Sequence, residues 1–296
     1  MFSSWQFWVG YALCVVLAVV LTDVFTRRGL AESLERPIEP GFGPPCTLWQ
    51  AWKLFCSFFW ERMLLLGVTV SCAFRLYLGD WNMVDFWVMV AIIAFFPFQE
   101  YLTHRFLLHH PPIVIFGKRY ETIIALVHRV HHRDPWHMQR AINPPVAIVL
   151  YAIGLPLLFC PFFKLPHAMT GVAGSWLVLL VYEWIHLLIH TSHVPRNWLF
   201  KLIWRNHRLH HFKSEHFWYN VSTYGVDLLL HTQPTPQSIP TSPTCLTLDE
   251  RESQEPETAT NSPPAIRQPN RRWRSPAKQT NSVKRAARSG LGHKAV

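Results

Sequence analysis

Long apolar runs set the strongest limit on what this chain can fold into. Residues 7–24, 84–98 and 171–188 carry one ionisable acid each, and all approach or reach the roughly 20 residues that an α-helix needs to cross the hydrocarbon of a bilayer. A soluble fold would have to bury several such helices on every side. Five spans are predicted, at about 7–24, 63–78, 84–101, 145–163 and 168–189. Residues 48–59 are also apolar and aromatic, and read as an interfacial helix or as part of a longer, tilted second span. Half of the residues are hydrophobic, with 14 Trp and 20 Phe, as such a bundle requires.

The segments between the runs give the orientation. Residues 26–62 carry Arg27, Arg28, Arg36, Lys53 and Arg62, and residues 102–143 carry six more Arg and Lys, whereas loops 79–83 and 161–167 hold only Lys164. By the positive-inside rule the amino terminus faces out and the basic carboxyl terminus faces the cytosol. The net charge of +10 therefore reports membrane topology and not nucleic acid binding. Arg75, near the outer end of the second span, is expected to snorkel to the interface. The first ten residues lack the basic start of a cleavable signal peptide, so 5–24 reads as a retained anchor. The six cysteines (Cys14, Cys46, Cys56, Cys72, Cys160, Cys245) form no CxxC pair and read as small hydrophobes. From Gln233 the composition turns to Pro, Ser, Thr, Gln and charge, which predicts a disordered tail whose basic end suits anionic headgroups.

Ten of the 17 histidines fall in four clusters: His104 and His109 in HRFLLH, His128, His131 and His132 in HRVHH, His186 and His190 in HLLIH, and His207, His210 and His211 in HRLHH. At this chain's own histidine frequency, two HxxHH triplets are far above chance. All four clusters fall on the side assigned to the cytosol, although the topology was read from hydrophobicity and Lys/Arg alone. On a helix, positions i, i+3 and i+4 share a face, so the three rings of HxxHH can point at one place. HRFLLH is different, because five residues at about 100° each put His109 about 140° from His104. That pair converges only if the helix ends near His109, which the Pro111–Pro112 step favours.

Uncharged imidazoles gathered beside a bilayer point to a bound cation, and ten are too many for one ion; they suit two. Imidazole accepts zinc, iron and copper alike, so the donors do not select the metal. Ligand histidines usually donate their other ring N–H to a carboxylate or carbonyl. Glu100, four residues before His104, and Glu183, three before His186, are the leading candidates, with Asp134, Glu215 and Asp227 close by. His110, His137, His193, His216 and His231 are expected to be structural or to act behind the ligands. His167 and His293 are expected to stay away from the metals.

Four boxes in this order, the second and fourth both HxxHH, resemble the histidine-box membrane oxygenases of the fatty acid hydroxylase and sterol desaturase superfamily. The runs QEYLTHRFLLHHPP, LVHRVHHRDP followed by INPP, and RNHRLHHFKSEHFWYNVSTYGVDLLLHT look like its fatty acid hydroxylase branch, over about residues 99–232. The resemblance implies that the ten clustered histidines hold two iron ions, with zinc able to stand in, and that O2 is used to hydroxylate or desaturate a C–H bond of a lipid. It also implies an all-α, multi-pass membrane bundle with a cytosolic histidine-rich helical cap. No HPGG haem motif of a fused cytochrome b5 domain is present, so a separate electron donor such as a cytochrome b5 or ferredoxin is expected. At 218–223 the chain reads WYNVST where relatives have a glycine in WFGVTS-like text.

The expected organisation is an anchor and linker at 1–62, a catalytic membrane domain at 63–232 and the tail at 233–296. The membrane is a bacterial inner membrane or the endoplasmic reticulum. A sterol or carotenoid oxidase of the same superfamily is the nearest rival. A metal transporter or sensor is the rival from another class, though transporters place ionisable ligands near the midplane.

Overall fold

A computed structural model describes residues 47–248, together with Leu17, Val20 and Val24. Apart from those three positions, the predicted first span lies outside the described residues, as does the chain from residue 249 onward. The described chain is helical apart from one antiparallel hairpin, β1 (Ile113–Ile115) with β2 (Lys118–Tyr120). Its first helix, α1 (Leu48–Ser57), starts at a capping box in which the Thr47 side chain accepts from Gln50 N while the Gln50 side chain accepts from Thr47 N. α2 (Phe59–Leu78) leaves it at 92°, through the extended backbone of Phe58. Trp184 holds the corner by packing edge-on against Trp52 and Phe55, at 5.6 Å from each.

α3 (Met83–Leu102) begins at a second capping box, Asn82 with Asp85, and runs on into a π-helical turn, Thr103–Leu108. α5 (Pro145–Phe159) opens with proline at its first turn, where the missing N–H leaves nothing unsatisfied. α6 (Leu165–Ile189) is the hub of the bundle, with α2, α3 and α5 around it. Three glycines allow that closeness. A Cβ at Gly67 would lie 3.1 Å from Trp176, one at Gly174 would lie 2.5 Å from the Met89 sulfur, and one at Gly171 would overlap Phe159. Small residues of this kind let membrane helices approach through their backbones.

The continuous helix through α3 and the π turn, α5 with the 3₁₀ turn before it (Met138–Arg140), and α6 are each long and apolar enough to cross a membrane. The bent α1–α2 pair makes a fourth span if its two parts are counted as one. Leu66, Val70, Phe86, Ile93 and Leu158 are exposed on the outside of this bundle, as a lipid-facing belt requires.

Arg75 departs from expectation. It is buried and does not snorkel: its guanidinium donates to Asp85 at 2.8 Å, to Thr170 and to the Gly79 carbonyl, and lies 3.6 Å over the Trp81 ring. His167 joins the same group through Asp85 at 3.2 Å. An opposing carboxylate inside the bundle was a cheaper partner than the interface, because it sits at the N-terminus of the adjacent helix.

Beyond the bundle, α4 (Ile123–Arg133), α7 (Trp198–Phe212) and α8 (Gly225–Leu229) form the cap, the first two started by Thr122 and Asn197 side chains that accept backbone N–H groups. The packed chain also continues past Gln233, where the sequence reading starts its tail, as far as Leu248. Backbone N–H of Ser242 donates to the Lys213 carbonyl at 2.8 Å.

Candidate metal centre

All ten clustered histidines meet in the cap, and they divide into two sets of five. His104, His109, His128, His132 and His210 form one; His131, His186, His190, His207 and His211 form the other. In each set one ring nitrogen per residue lies within 4.8 Å of all the others. The sets adjoin, with the rings of His132 and His211 4.1 Å apart.

Each HxxHH triplet is split between the sets. The i and i+4 rings of α4, His128 and His132, go to the first set and the i+3 ring, His131, goes to the second. α7 does the reverse, giving His207 and His211 to the second set and His210 to the first. The three rings of a triplet share a helix face, as spacing requires, yet they do not converge on one point. The 100° per residue that separates i+3 from i+4 is wide enough to address two neighbouring sites.

Convergence of His104 and His109 comes from the π turn. The N–H of His109 donates to the carbonyl of His104, five residues back, at 3.2 Å. The wider π repeat brings residues five apart onto one side, and their Nε2 atoms come within 3.3 Å. The helix also stops here, before the two prolines, as the sequence suggests.

In five of the ten rings the outer nitrogen is fixed by the backbone. His104 Nδ1 donates to Tyr219 O, His210 Nδ1 to Phe217 O at 2.8 Å and His132 Nδ1 to Cys245 O at 2.8 Å. His186 and His190 bond to the backbone at Ala141 and Pro135. With Nδ1 protonated, Nε2 must carry a lone pair, and these lone pairs crowd together. The Nε2 atoms of His109 and His210, and those of His128 and His109, are 3.0 Å apart. The Nε2 atoms of His132, His186 and His190 and both ring nitrogens of His131 are buried with no partner. Lone pairs aimed at one another without protons between them make an arrangement that could hold a cation. Burial first, and mutual repulsion second, hold His109, His128, His131, His207 and His211 well below the ordinary imidazole range. Burial lowers His132 to about 3. The rings are therefore neutral at physiological pH, as ligands must be.

The carboxylates serve a different purpose from the expected one. Neither Glu100 nor Glu183 bonds to the histidine that helical spacing sets beside it. Glu100 is buried and accepts from the N–H groups of Val221 and Ser222, the Ser222 hydroxyl and the Asn220 amide. Glu183 accepts from the backbone and side chain of Asn143. The 217–222 loop is also gripped by Asp227, which accepts from Tyr219 N at 2.9 Å and Asn220 N at 2.7 Å. Glu100 and Asp227 thus hold the strand of chain whose carbonyls orient His104 and His210. Trp218, fully buried at φ +56°, lets the carbonyls on either side of it reach their two rings. Asn220 is consumed in this grip, since its amide also donates to Pro97 O at 3.0 Å.

Arg208, beside His207, donates to Ile189 O at 3.0 and 2.9 Å and to Thr191 O at 2.7 Å, so it clamps the chain on both sides of His190. Burial pulls its guanidinium down to about 10. The sequence reading missed Arg208 and the carbonyls of Phe217, Tyr219 and Cys245. Backbone acceptors carry no residue signature; only the Arg next to a box histidine was a usable hint. His110, His137, His167, His193, His216 and His231 stay outside both sets.

A pocket opens onto both sets at once. Its walls include Leu108, Ile124, Val127 and Ile142; His128 of the first set and His131 and His186 of the second also line it, with Arg140, Asn143 and Tyr182 as its other polar groups.

Comparison with known proteins finds relatives over the region that carries the histidines. A dihydroceramide fatty acyl 2-hydroxylase of Arabidopsis thaliana is 24% identical over 69% of this chain and 86% of its own length. A fatty acid 2-hydroxylase of Macaca fascicularis is 32% identical over 45% of this chain, which spans only 36% of that relative. A solved structure described as full-length scs7p with only the hydroxylase domain visible is 23% identical, with a TM-score of 0.49, over 70% of this chain and 78% of that one. The match to the family described as fatty acid hydroxylase runs over residues 89–232 and takes in all four histidine boxes, so that this region is similar to that family.

Proposed function

We propose that this chain is a membrane-bound lipid hydroxylase in which the ten histidines hold two iron ions, five rings to each, and that it oxidises a C–H bond of a fatty acyl chain. The observation that carries the reading is the pair of adjoining five-histidine sets, with buried unpartnered nitrogens, three of whose rings line a pocket that also has apolar walls. The names of the relatives favour an acyl chain or ceramide over a sterol or pigment, and favour hydroxylation over desaturation.

When bound, the two irons supply the reduction of O2 and the oxidant that removes hydrogen from carbon. The balance is one C–H bond, one O2, two electrons and two protons, giving one alcohol and one water. Electrons come from a separate protein such as a cytochrome b5 or ferredoxin. The chain's own residues set where this happens. Leu108, Ile124, Val127 and Ile142 give the pocket an apolar wall beside the rings, of the kind that methylenes pack against. Arg140, Asn143 and Tyr182 suit the carboxyl or amide at the head of the chain, leaving the adjacent carbons over His128, His131 and His186. The carbonyls behind His104, His132, His186, His190 and His210 fix those rings with Nε2 free to act as the donor, so binding demands little reorganisation of them. Charge distribution supports a cytosolic position for the cap.

The test is expression in cells lacking hydroxylated acyl lipids, with lipid profiling by mass spectrometry and metal analysis of the purified protein. Hydroxylated acyl chains that disappear in His131→Ala, from protein loaded with two irons, are the expected result. Unchanged acyl lipids from metal-loaded, reduced protein, or an altered sterol instead, would refute the substrate assignment.

A further inference from the structure

One of the ten rings depends on a stretch of chain beyond residue 232, where the family match ends. His132 Nδ1 donates to the carbonyl of Cys245, and its Nε2 is buried without a partner. Every other outer contact named above comes from within residues 89–232. The 241–248 stretch, rich in Thr, Ser and Pro, has no composition that would fold it alone. It is fastened instead at two places, each beside a histidine box.

The first lies just after α7. There Ser242 N donates to Lys213 O at 2.8 Å, and the Ser242 hydroxyl donates to the Glu215 carboxylate at 2.9 Å. The Thr244 hydroxyl donates to the same carboxylate oxygen. The second lies on α4, between His128 and His131. Arg129 Nη1 donates to Thr247 O at 2.9 Å and to Leu248 O at 2.7 Å, while its other nitrogens pair with Glu121. Arg129 and Glu215 are both buried, and a buried charge needs partners. The order of the segment follows from the two charges it satisfies. Cys245 sits between the two fastenings, and its carbonyl is thereby aimed at His132.

A neutral imidazole carries its proton on one nitrogen or the other. A carbonyl can only accept, so Cys245 O selects the form with hydrogen on Nδ1 and the lone pair on Nε2. Without it, His132 could rotate or change tautomer and leave its set with four donors. We propose that residues 241–248 are a clasp that fixes the tautomer and direction of His132, and so holds the metal of the His104, His109, His128, His132 and His210 set. Ser242 and Thr244 act in it as positioning residues. The proposal rests on the two-metal reading and goes beyond it, because it makes one site depend on a segment outside the family match while the other does not.

The test uses the full-length chain loaded with zinc, dialysed against graded chelator, with zinc counted per chain and thermal unfolding followed on the metal-free protein. Wild type retains two ions. Ser242→Ala/Thr244→Val releases one of the two at a chelator concentration about 10–100-fold lower, the usual effect of losing a group behind a metal ligand, and the other is held as in wild type. Combined with His132→Ala, the double substitution changes nothing further, since the clasp acts through that ring. Thr244→Ser alone, which keeps the hydroxyl, retains both ions. The clasp is refuted if the double variant holds both ions at wild-type chelator concentrations. It is equally refuted if both ions leave in parallel with a lower unfolding temperature of the metal-free chain, which would mark a merely structural clip. Wild-type protein that binds no zinc would refute the two-metal reading itself.

Discussion

Replacing Glu100 separates its grip on the 217–222 loop from a direct role at the histidines. Its carboxylate takes four hydrogen bonds, three of them on Oε1 from Asn220, Val221 and Ser222 and one on Oε2 from the Ser222 hydroxyl. Bonds to a charged acceptor are worth about 1.5–3 kcal/mol each in net terms, but they are not additive when they share one group. Glu100→Ala strands two backbone N–H groups in a buried place, so a loss of about 3–5 kcal/mol is expected, as for removal of one partner from a buried charged network. Glu100→Gln keeps an oxygen where Oε1 stands, and the serine hydroxyl can turn to accept from the new NH2, so the loss should be about 1 kcal/mol. For a domain of this size the alanine variant should melt roughly 6–20 °C lower, at about 2–4 °C per kcal/mol. It should also lose metal first from the set that contains His104, whose Nδ1 partner is the carbonyl of Tyr219 in that loop. Thermal unfolding and metal content per chain, measured on the same preparations, decide it. If Glu100→Ala melts with wild type and keeps two ions, or if Gln is as damaging as Ala, the loop-holding argument is wrong.

Single alanine substitutions at His128 and His131, three residues apart in one box, should each remove one ion from a different set; elemental analysis of a doubly substituted chain should then find none. Arg75→Leu should cost roughly 3–5 kcal/mol by removing the cation that faces buried Asp85, yet leave metal content intact, and Arg75→Leu/Asp85→Asn should recover part of the loss in a denaturation series. Arg208→Lys cannot make the same pair of contacts across Ile189 and Thr191, so metal in the His190 set should become easier to strip with chelator. Buried His109, His128, His131, His207 and His211 titrate well below the ordinary range when folded, and His132 at about 3, against about 6.5 when unfolded. Below pH 6.5 the unfolded chain therefore takes up protons that the folded chain refuses, and stability of the metal-free protein falls as pH drops from there toward 3. Acid release of metal should coincide with unfolding seen by tryptophan fluorescence; release at a pH where the fold is intact would contradict the burial argument.

The apolar runs and the histidine spacing were legible because each depends on side chains alone. Spans predicted at 84–101 and 168–189 correspond to α3 and α6, and all ten clustered histidines come together. What the sequence hid is what backbone does. The π turn at His104 leaves no residue signature, and neither do the carbonyls of Phe217, Tyr219 and Cys245. Glu100 illustrates the limit of spacing arguments: its position one turn before His104 is as expected, but four donors in a loop about 120 residues away outcompete the neighbouring ring. Arg75 was misjudged because its partner, Asp85, lies across a loop on another helix. The start of the tail was set too early, since composition does not show that two buried charges await its hydroxyls and carbonyls.

The division of each HxxHH triplet has a consequence for the spacing of the two sets. On α4 and on α7, adjacent residues serve opposite sets, so the offset between the sets is written into the rise and twist of an ordinary helix. Neither set can drift toward or away from the other unless both helices unwind, and every ring exchanged is matched by one returned. The backbone hydrogen bonds of two short helices thus act as a pair of crossed rulers, and the distance they measure is insulated from substitutions in the pocket below.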